Sequence, residues 1–326
     1  MIEENYSALV LLLAAFVDYL VGDPWNWLHP VQVMGWFIST FSQFLINSFP
    51  QKSLRRLGGF FLGVVLIAGS GLSGWLFIFG ASKIHPWLGM FVDVILLASC
   101  FATKSLRLAA FDVLQPLSLN DIKTARTRLS NYVGRDPENL SETEILRAVL
   151  ETVAENTTDG VTAPLFYAIL GSYIPGLGGA PLALAYKAAS TLDSMIGYRT
   201  EPFTEIGWFS AKFEDFLTWF PCRLTVLTLA LISGKPLSVL SLCLRDAPQD
   251  PSPNSGWSET VYAAILGVQL GGVNTYSGVV KEKPLLGDPL RAIAPDTIHQ
   301  AFFYTRCCFL LWLSFAVLLK QLLFFN

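Results

Sequence analysis

Residues 58–79 run without one charged side chain, and no other stretch constrains the fold so strongly. A helix needs about 20 largely apolar residues to cross the hydrocarbon core of a bilayer. Residues 87–102 come close, interrupted only by Asp93, and the run 307–319 reaches span length if it extends over about 302–325. Weaker candidates are 6–21, which holds Asp18 near its end, and 216–233 and 164–189, which polar residues, Gly or Pro break. The pattern predicts an all-α, multipass integral membrane protein with four to six membrane segments. Composition agrees. Of 326 residues, 52% are hydrophobic and 14% charged, against roughly 25% charged in an ordinary soluble domain.

The apolar start follows Glu3 and Glu4 instead of a basic region, and no small-residue cleavage site follows it. It reads as a retained membrane segment, not a removed signal peptide. A formal net charge of −3 with no dominant basic face excludes nucleic acid as a partner. The five cysteines (Cys100, Cys222, Cys243, Cys307 and Cys308) lie in or beside apolar sequence and form no CxxC. With only three histidines, neither a zinc site nor a disulfide framework is expected.

Lys52, Arg55 and Arg56 precede the second segment, Lys104 and Arg107 follow the third, and the turn between carries only Lys83. The positive-inside bias puts both flanks in the cytoplasm. The chain then divides into N-terminal membrane segments (1–103), a cytoplasmic helical insert (104–160), further membrane segments (161–244), a polar Pro/Gly-rich loop region with short helices (245–300) and a C-terminal membrane helix (301–326).

The insert ends in the most chemically informative stretch. Ser141 and Glu144 form a capping box that opens a helix. Four-residue spacing stacks Glu151 and Glu155 on one helical face, about 6 Å apart along the axis, and Asp159 continues the line. Gly160 and Pro164 then mark a break. Like charges at this spacing repel, so something cationic belongs opposite: a divalent metal, an amine, or Lys and Arg from elsewhere. A second cluster places Lys187, Thr191 and Ser194 on one helix face beside Asp193, an arrangement suited to an anion such as phosphate. No GxxxxGK[ST] occurs, so nucleotide binding would not use a P-loop.

Taken in order, the polar motifs resemble the membrane-bound cobinamide-phosphate synthase (CobD/CbiB) family of cobalamin biosynthesis. The match runs through Gly22-Asp23-Pro24, His29-Pro30-Val31, Gly134-Arg135-Asp136, Glu155-Asn156, Asp159-Gly160-Val161 and Ala163-Pro164-Leu165-Phe166. It continues through Tyr186-Lys187, Thr191-Leu192-Asp193-Ser194-Met195, Gly207, Pro221 with Arg223, Ser252-Pro253-Asn254 and Gly256-Trp257. Ser190, Glu214, Thr218 and Asp250 depart from the usual pattern, and the sequence beyond Trp257 matches loosely.

The resemblance implies an ATP-driven amide ligation in the cell (inner or plasma) membrane, with a cytoplasmic site. Aminopropanol or its phosphate would be joined to a propionate of adenosylcobyric acid, giving an adenosylcobinamide. Other cobalamin-pathway proteins would be further partners. Glu151, Glu155, Asp159, Asp193 and Lys187 are the expected catalytic set. The three acidic residues Glu151, Glu155 and Asp159 are also the expected holders of magnesium or of the substrate amine. Asp23, His29, Arg135, Asn156, Thr191, Ser194, Arg199, Arg223, Ser252 and Asn254 are expected to bind substrate or phosphate. Two other classes stand beside this reading. Asp18, Asp93 and the broken segments suggest a secondary transporter, and the looser relative AmpE suggests a non-catalytic sensor.

Overall fold

The computed structural model describes residues 2–22 and 29–324. In chain order its helices are α1 (Ile2–Leu20), α2 (Pro30–Ser48), α3 (Lys52–Ile84), α4 (Pro86–Ala98), α5 (Thr103–Ser118), α6 (Ile122–Leu129) and α7 (Glu142–Asn156). A π-helical turn, Thr157–Thr162, leads to α8 (Ala163–Ser172), α9 (Ala180–Ile196), α10 (Trp208–Ile232) and α11 (Pro236–Asp246). Then come α12 (Ser255–Leu266), strands β1 (Leu270–Tyr276) and β2 (Val279–Leu286), and α13 (Pro295–Phe324). Among the described residues, four stretches are long and apolar enough to cross a membrane: Lys52–Ile84, Pro86–Ser118, Trp208–Ile232 and Pro295–Leu322, with Tyr6–Leu20 as a shorter apolar helix. The expected candidate at 164–189 is not among them. Its chain leaves helix between α8 and α9, where Gly176 and Gly178 take positive φ.

The chain forms two compact units. The first comprises Met1–Lys104, Ala163–Thr218 and Leu311–Asn326; the second comprises Ser105–Thr162 and Trp219–Leu310. In the first, α3 packs on α2, α4 and α9, and α9 also meets α8. The stripe Met34, Ile38, Ser42 and Leu45 is the buried face of α2, as a period near 3.6 requires. Ile38 and Leu45 join Leu62, Leu192, Ile196 and Ile206 in one apolar cluster. Close packing depends on small residues: a Cβ on Gly59 would lie 2.0 Å from the carbonyl oxygen of Ile206. The opposite face of α3 exposes Phe61, Val65, Leu72 and Leu76, each more than half accessible. Such a continuous apolar stripe is unfavourable in water and suits acyl chains.

In the second unit, Asp121 caps α6 through the Thr124 N–H, and Ser141 and Glu144 form the expected capping box on α7. Helix α12 packs on α7, α11 and both strands. The region expected as loop with short helices thus contains an antiparallel hairpin. Ser277 and Gly278 form its two-residue turn with φ of 50° and 78°, the left-handed pair that matches strand twist. Asp136 holds that turn, accepting the N–H groups of Ser277 (2.9 Å) and Gly278 (2.8 Å). At the other end, register shifts between Leu270 and Gly272.

Candidate active site

Helix α7 carries the acidic residues, and its own chain supplies the counter-charge to the first of them. Glu151 is buried and paired with Arg135, and lies 3.5 Å from Arg147. Its Oε1 also accepts the Gly271 N–H of β1 at 2.9 Å. Arg135 donates to Asn274 Oδ1 at 2.9 Å, and Arg147 donates to the Gly271 carbonyl and to Asn274 Oδ1. The three cationic partners left open by the sequence thus narrow, for Glu151, to arginine. Arg135, expected to bind phosphate, is a buried brace between α7 and β1.

One turn along α7, Glu155 is different. Its side chain keeps solvent access. Burial by the surrounding protein nevertheless raises its pKa, with Asp250 and Glu151 adding to the rise and Lys283 and Arg135 opposing it. Near it in charge is a carboxylate that the sequence motifs did not single out. Glu259 of α12 is fully buried, and its Oε1 accepts from Lys283 Nζ of β2 at 2.9 Å. Its Oε2 has no hydrogen-bond partner. Burial pushes its pKa up to about 8, and Glu151 and Glu155 add to the rise, while Lys283 pulls against it. Burial works against the Lys283 ammonium too, but Glu259, Glu151 and Glu155 more than offset that and hold it charged.

Asn156 and Asp159 follow, half-buried at the end of α7 and on the π turn. Asn156 Nδ2 donates to the Thr152 carbonyl. The expected break is instead this π turn, a rare geometry that recurs at functional sites. Its hydroxyls are pinned: Thr158 to Ser258 and Thr162 to Thr225, each at 2.7 Å, and Thr157 to Thr305 at 3.0 Å.

Among the described residues, no group of three or more His, Cys, Asp or Glu side chains is placed to hold a metal ion. Of the expected trio, Glu151 is engaged by Arg135, Arg147 and the Gly271 N–H. Magnesium commonly takes only one or two carboxylates together with substrate phosphates, and Asp159, on the π turn, is the member of the trio that could serve in that way.

The Ser252–Asn254 segment forms a self-bonded loop. Ser252 Oγ accepts the N–H groups of Asn254 (3.3 Å) and Ser255 (3.1 Å). Arg223 donates to Asn254 Oδ1 and to the Pro253 carbonyl, both at 2.7 Å, and its guanidinium lies over the rings of Trp219 and Trp257. These three expected substrate residues therefore shape the loop beside α12.

The remaining expected residues fall in the first unit. Lys187, Thr191, Asp193 and Ser194 sit on α9, as their spacing predicts. Thr191 and Ser194 hydroxyls donate back to the carbonyls of Lys187 (2.7 Å) and Thr191 (3.0 Å). Gly197 ends the helix against Asp193: a Cβ there would lie 2.0 Å from its Oδ1. Arg199 is exposed beyond the helix end. His29 caps α2 through the Val31 N–H, and Asp23 lies outside the described residues. Asp93, one of the residues that suggested a transporter, accepts hydrogen bonds from the Ala180 backbone at the start of α9 and from Tyr6.

The sequence reading missed Arg147, Glu259, Asn274 and Lys283. A signal existed for one: Glu259 is a lone carboxylate leading into the apolar run Val261-Tyr262-Ala263-Ala264-Ile265.

Fold and site together define a multipass helical membrane protein with an acidic site braced by its own arginines. The chain belongs to the CobD/CbiB family, whose profile, described as CobD/Cbib protein, matches residues 11–305. That match extends well past Trp257, where the motifs thin out. The chain is 54% identical over 304 residues to the cobalamin biosynthesis protein CobD of Synechocystis sp., covering 93% of this chain and 89% of that protein. It is 40% identical over 322 residues to the cobalamin biosynthesis protein CbiB of Salmonella typhimurium, covering 97% of each. The cobalamin biosynthesis protein CobD of Halalkalibacterium halodurans is 41% identical over 321 residues, covering 95% of this chain and 96% of that protein. No solved structure matches the chain.

Proposed function

We propose that this protein is an ATP-dependent amide ligase of cobalamin biosynthesis, joining aminopropanol or its phosphate to a propionate carboxylate of adenosylcobyric acid. The observation that carries the reading is the family match over residues 11–305. A carboxylate is a poor electrophile, so ATP must first convert it to an acyl phosphate or acyl adenylate. The amine nitrogen then bonds to the carbonyl carbon as the bond to phosphate or AMP breaks.

The amine arrives as an ammonium and has to lose a proton. Glu155 is the residue assigned to take it: it is accessible, and its raised pKa brings it toward the operating pH, where a general base works best. Magnesium, when bound, would screen the phosphates, with Asp159 as its protein ligand. Lys187 and Arg199 remain the candidates for neutralising phosphate in the first unit, with Asp193 on the same helix as Lys187. The basic flanks Lys52, Arg55, Arg56, Lys104 and Arg107 support a cytoplasmic site in the cell membrane.

The test is an assay on detergent-purified protein with adenosylcobyric acid, aminopropanol phosphate, ATP and magnesium, the product being read by mass. An amide product that requires both ATP and magnesium is the expected result. Well-folded protein that binds the corrinoid but makes no amide, even with cobalamin-pathway proteins added, would overturn it.

A further inference from the structure

The pair formed by Glu259 and Lys283 is unequal. The carboxylate has no accessible surface, whereas 27% of the lysine side chain remains accessible. Glu259 presents one oxygen to the ammonium and leaves the other without a partner. As a means of pinning α12 to β2 this is poor, since two apolar side chains would do it without desolvating charge. Nor is Lys283 needed to neutralise Glu151, which has Arg135 and Arg147. What the arrangement achieves is a lysine side chain that stays partly accessible, its ammonium set on a buried anchor and within electrostatic reach of Glu155. A lysine offers three rotatable donors on a compact charge, the form that suits phosphoryl oxygens.

We propose that Lys283 binds a phosphoryl group of the substrates and that Glu259 is its positioning residue. The proposal rests on the ligase reading. Two sources share that chemistry, the polyphosphate of ATP and the phosphate of the amine substrate, and kinetics separate them.

The experiment uses the full-length protein in detergent, with Lys283→Met, Lys283→Arg and Glu259→Gln. KM is measured separately for ATP, aminopropanol phosphate and unphosphorylated aminopropanol, and thermal unfolding is followed in parallel. Lys283→Met should raise KM for one phosphoryl substrate by roughly ten- to a hundredfold, the value of one charge-assisted hydrogen bond. Lys283→Arg should recover part of that loss. Glu259→Gln should raise the same KM more modestly. A rise for ATP alone assigns Lys283 to the nucleotide. A rise for aminopropanol phosphate, absent with aminopropanol, assigns it to the amine's phosphate.

Unchanged KM values in all three variants, with only the unfolding temperature lowered, would reduce the pair to a structural pin and overturn the proposal. Equilibrium binding of ATP and of aminopropanol phosphate by the same proteins gives a readout without turnover. If well-folded wild type binds the corrinoid and makes no product even with cobalamin-pathway proteins added, the ligase reading fails. Lys283 then still stands or falls on whether Lys283→Met, or Lys283→Arg and Glu259→Gln should the methionine variant not fold, weakens that binding.

Discussion

Glu151 Oε1 accepts the backbone N–H of Gly271 at 2.9 Å, across 120 positions of sequence. The contact fixes α7 to the first strand of the hairpin at the level of the carboxylates. It also explains why two glycines stand together in β1. Gly271 and Gly272 have φ of 83° and 93°, a conformation open to glycine, and the shifted register there belongs to a bulge. The hairpin thus contributes a backbone donor to Glu151 and a lysine to Glu259.

Glu151→Ala should destabilise the protein by about 3–5 kcal/mol, because it leaves the buried Arg135 and the partly buried Arg147 without their carboxylate. Chemical unfolding in detergent measures this. A variant that kept wild-type stability and lost only its response to magnesium would restore Glu151 as a metal ligand.

Two glycines of the hairpin separate conformation from contact. Gly271→Ala forces a positive φ on alanine, which costs about 1–3 kcal/mol, and also sets a Cβ 1.9 Å from the Pro284 carbonyl oxygen. Gly278→Ala meets the same conformational cost at φ 78° with nothing within 4 Å. The first variant should therefore unfold at clearly lower temperature than the second. Equal losses would mean that the bulge relaxes freely and does not hold the N–H toward Glu151.

What could be read from sequence followed from local rules. The Ser141 capping box depends on residues three apart, and the 58–79 span on uninterrupted hydropathy, so both were legible. The line Glu151, Glu155, Asp159 was half legible. Four-residue spacing stacks side chains only in α-helix, and Asp159 lies in a π turn, where the hydrogen bonds widen to i→i+5. The hairpin had its signal in Ser277-Gly278 between the strand formers Thr275-Tyr276 and Val279-Val280, but the surrounding Pro, Gly and Asn read as loop. Pairings such as Glu259 with Lys283 and Arg147 with Asn274 are set by how α12, α7 and the strands pack. No spacing rule reaches them.

Stability should fall as pH rises through the neutral range, and Glu259 should be a main cause. Its pKa is raised from the ordinary 4.5 to about 8 by burial. The folded state therefore keeps a proton there that the unfolded chain releases above 4.5. The contribution is fully present below 4.5 and is lost as pH climbs to about 8. The raised pKa of Glu155 acts in the same direction. Glu144, lowered by its bonds to Ser141, acts oppositely, but its contribution is lost only as pH falls through its lowered pKa, outside this window. Unfolding temperature measured from pH 5 to 9 should decline in wild type and decline less steeply in Glu259→Gln. A parallel decline in both would remove Glu259 as the source.

Glu155→Gln separates chemistry from architecture. Its side chain is exposed, and the braces of the site run through Glu151, so the substitution should leave unfolding near pH 5, where Glu155 is protonated, close to wild type. Loss of a general base typically lowers turnover by about 10²–10⁴-fold. In wild type the acid limb of the rate should lie above 4.5, since the raised pKa keeps Glu155 protonated, and unable to accept a proton, past the ordinary carboxylate range. The residual rate of the glutamine variant should lack that limb. Cobinamide formation by Glu155→Gln at the wild-type rate, with the acid limb intact, would transfer the proton-accepting role to another carboxylate, with Asp159 the first to test.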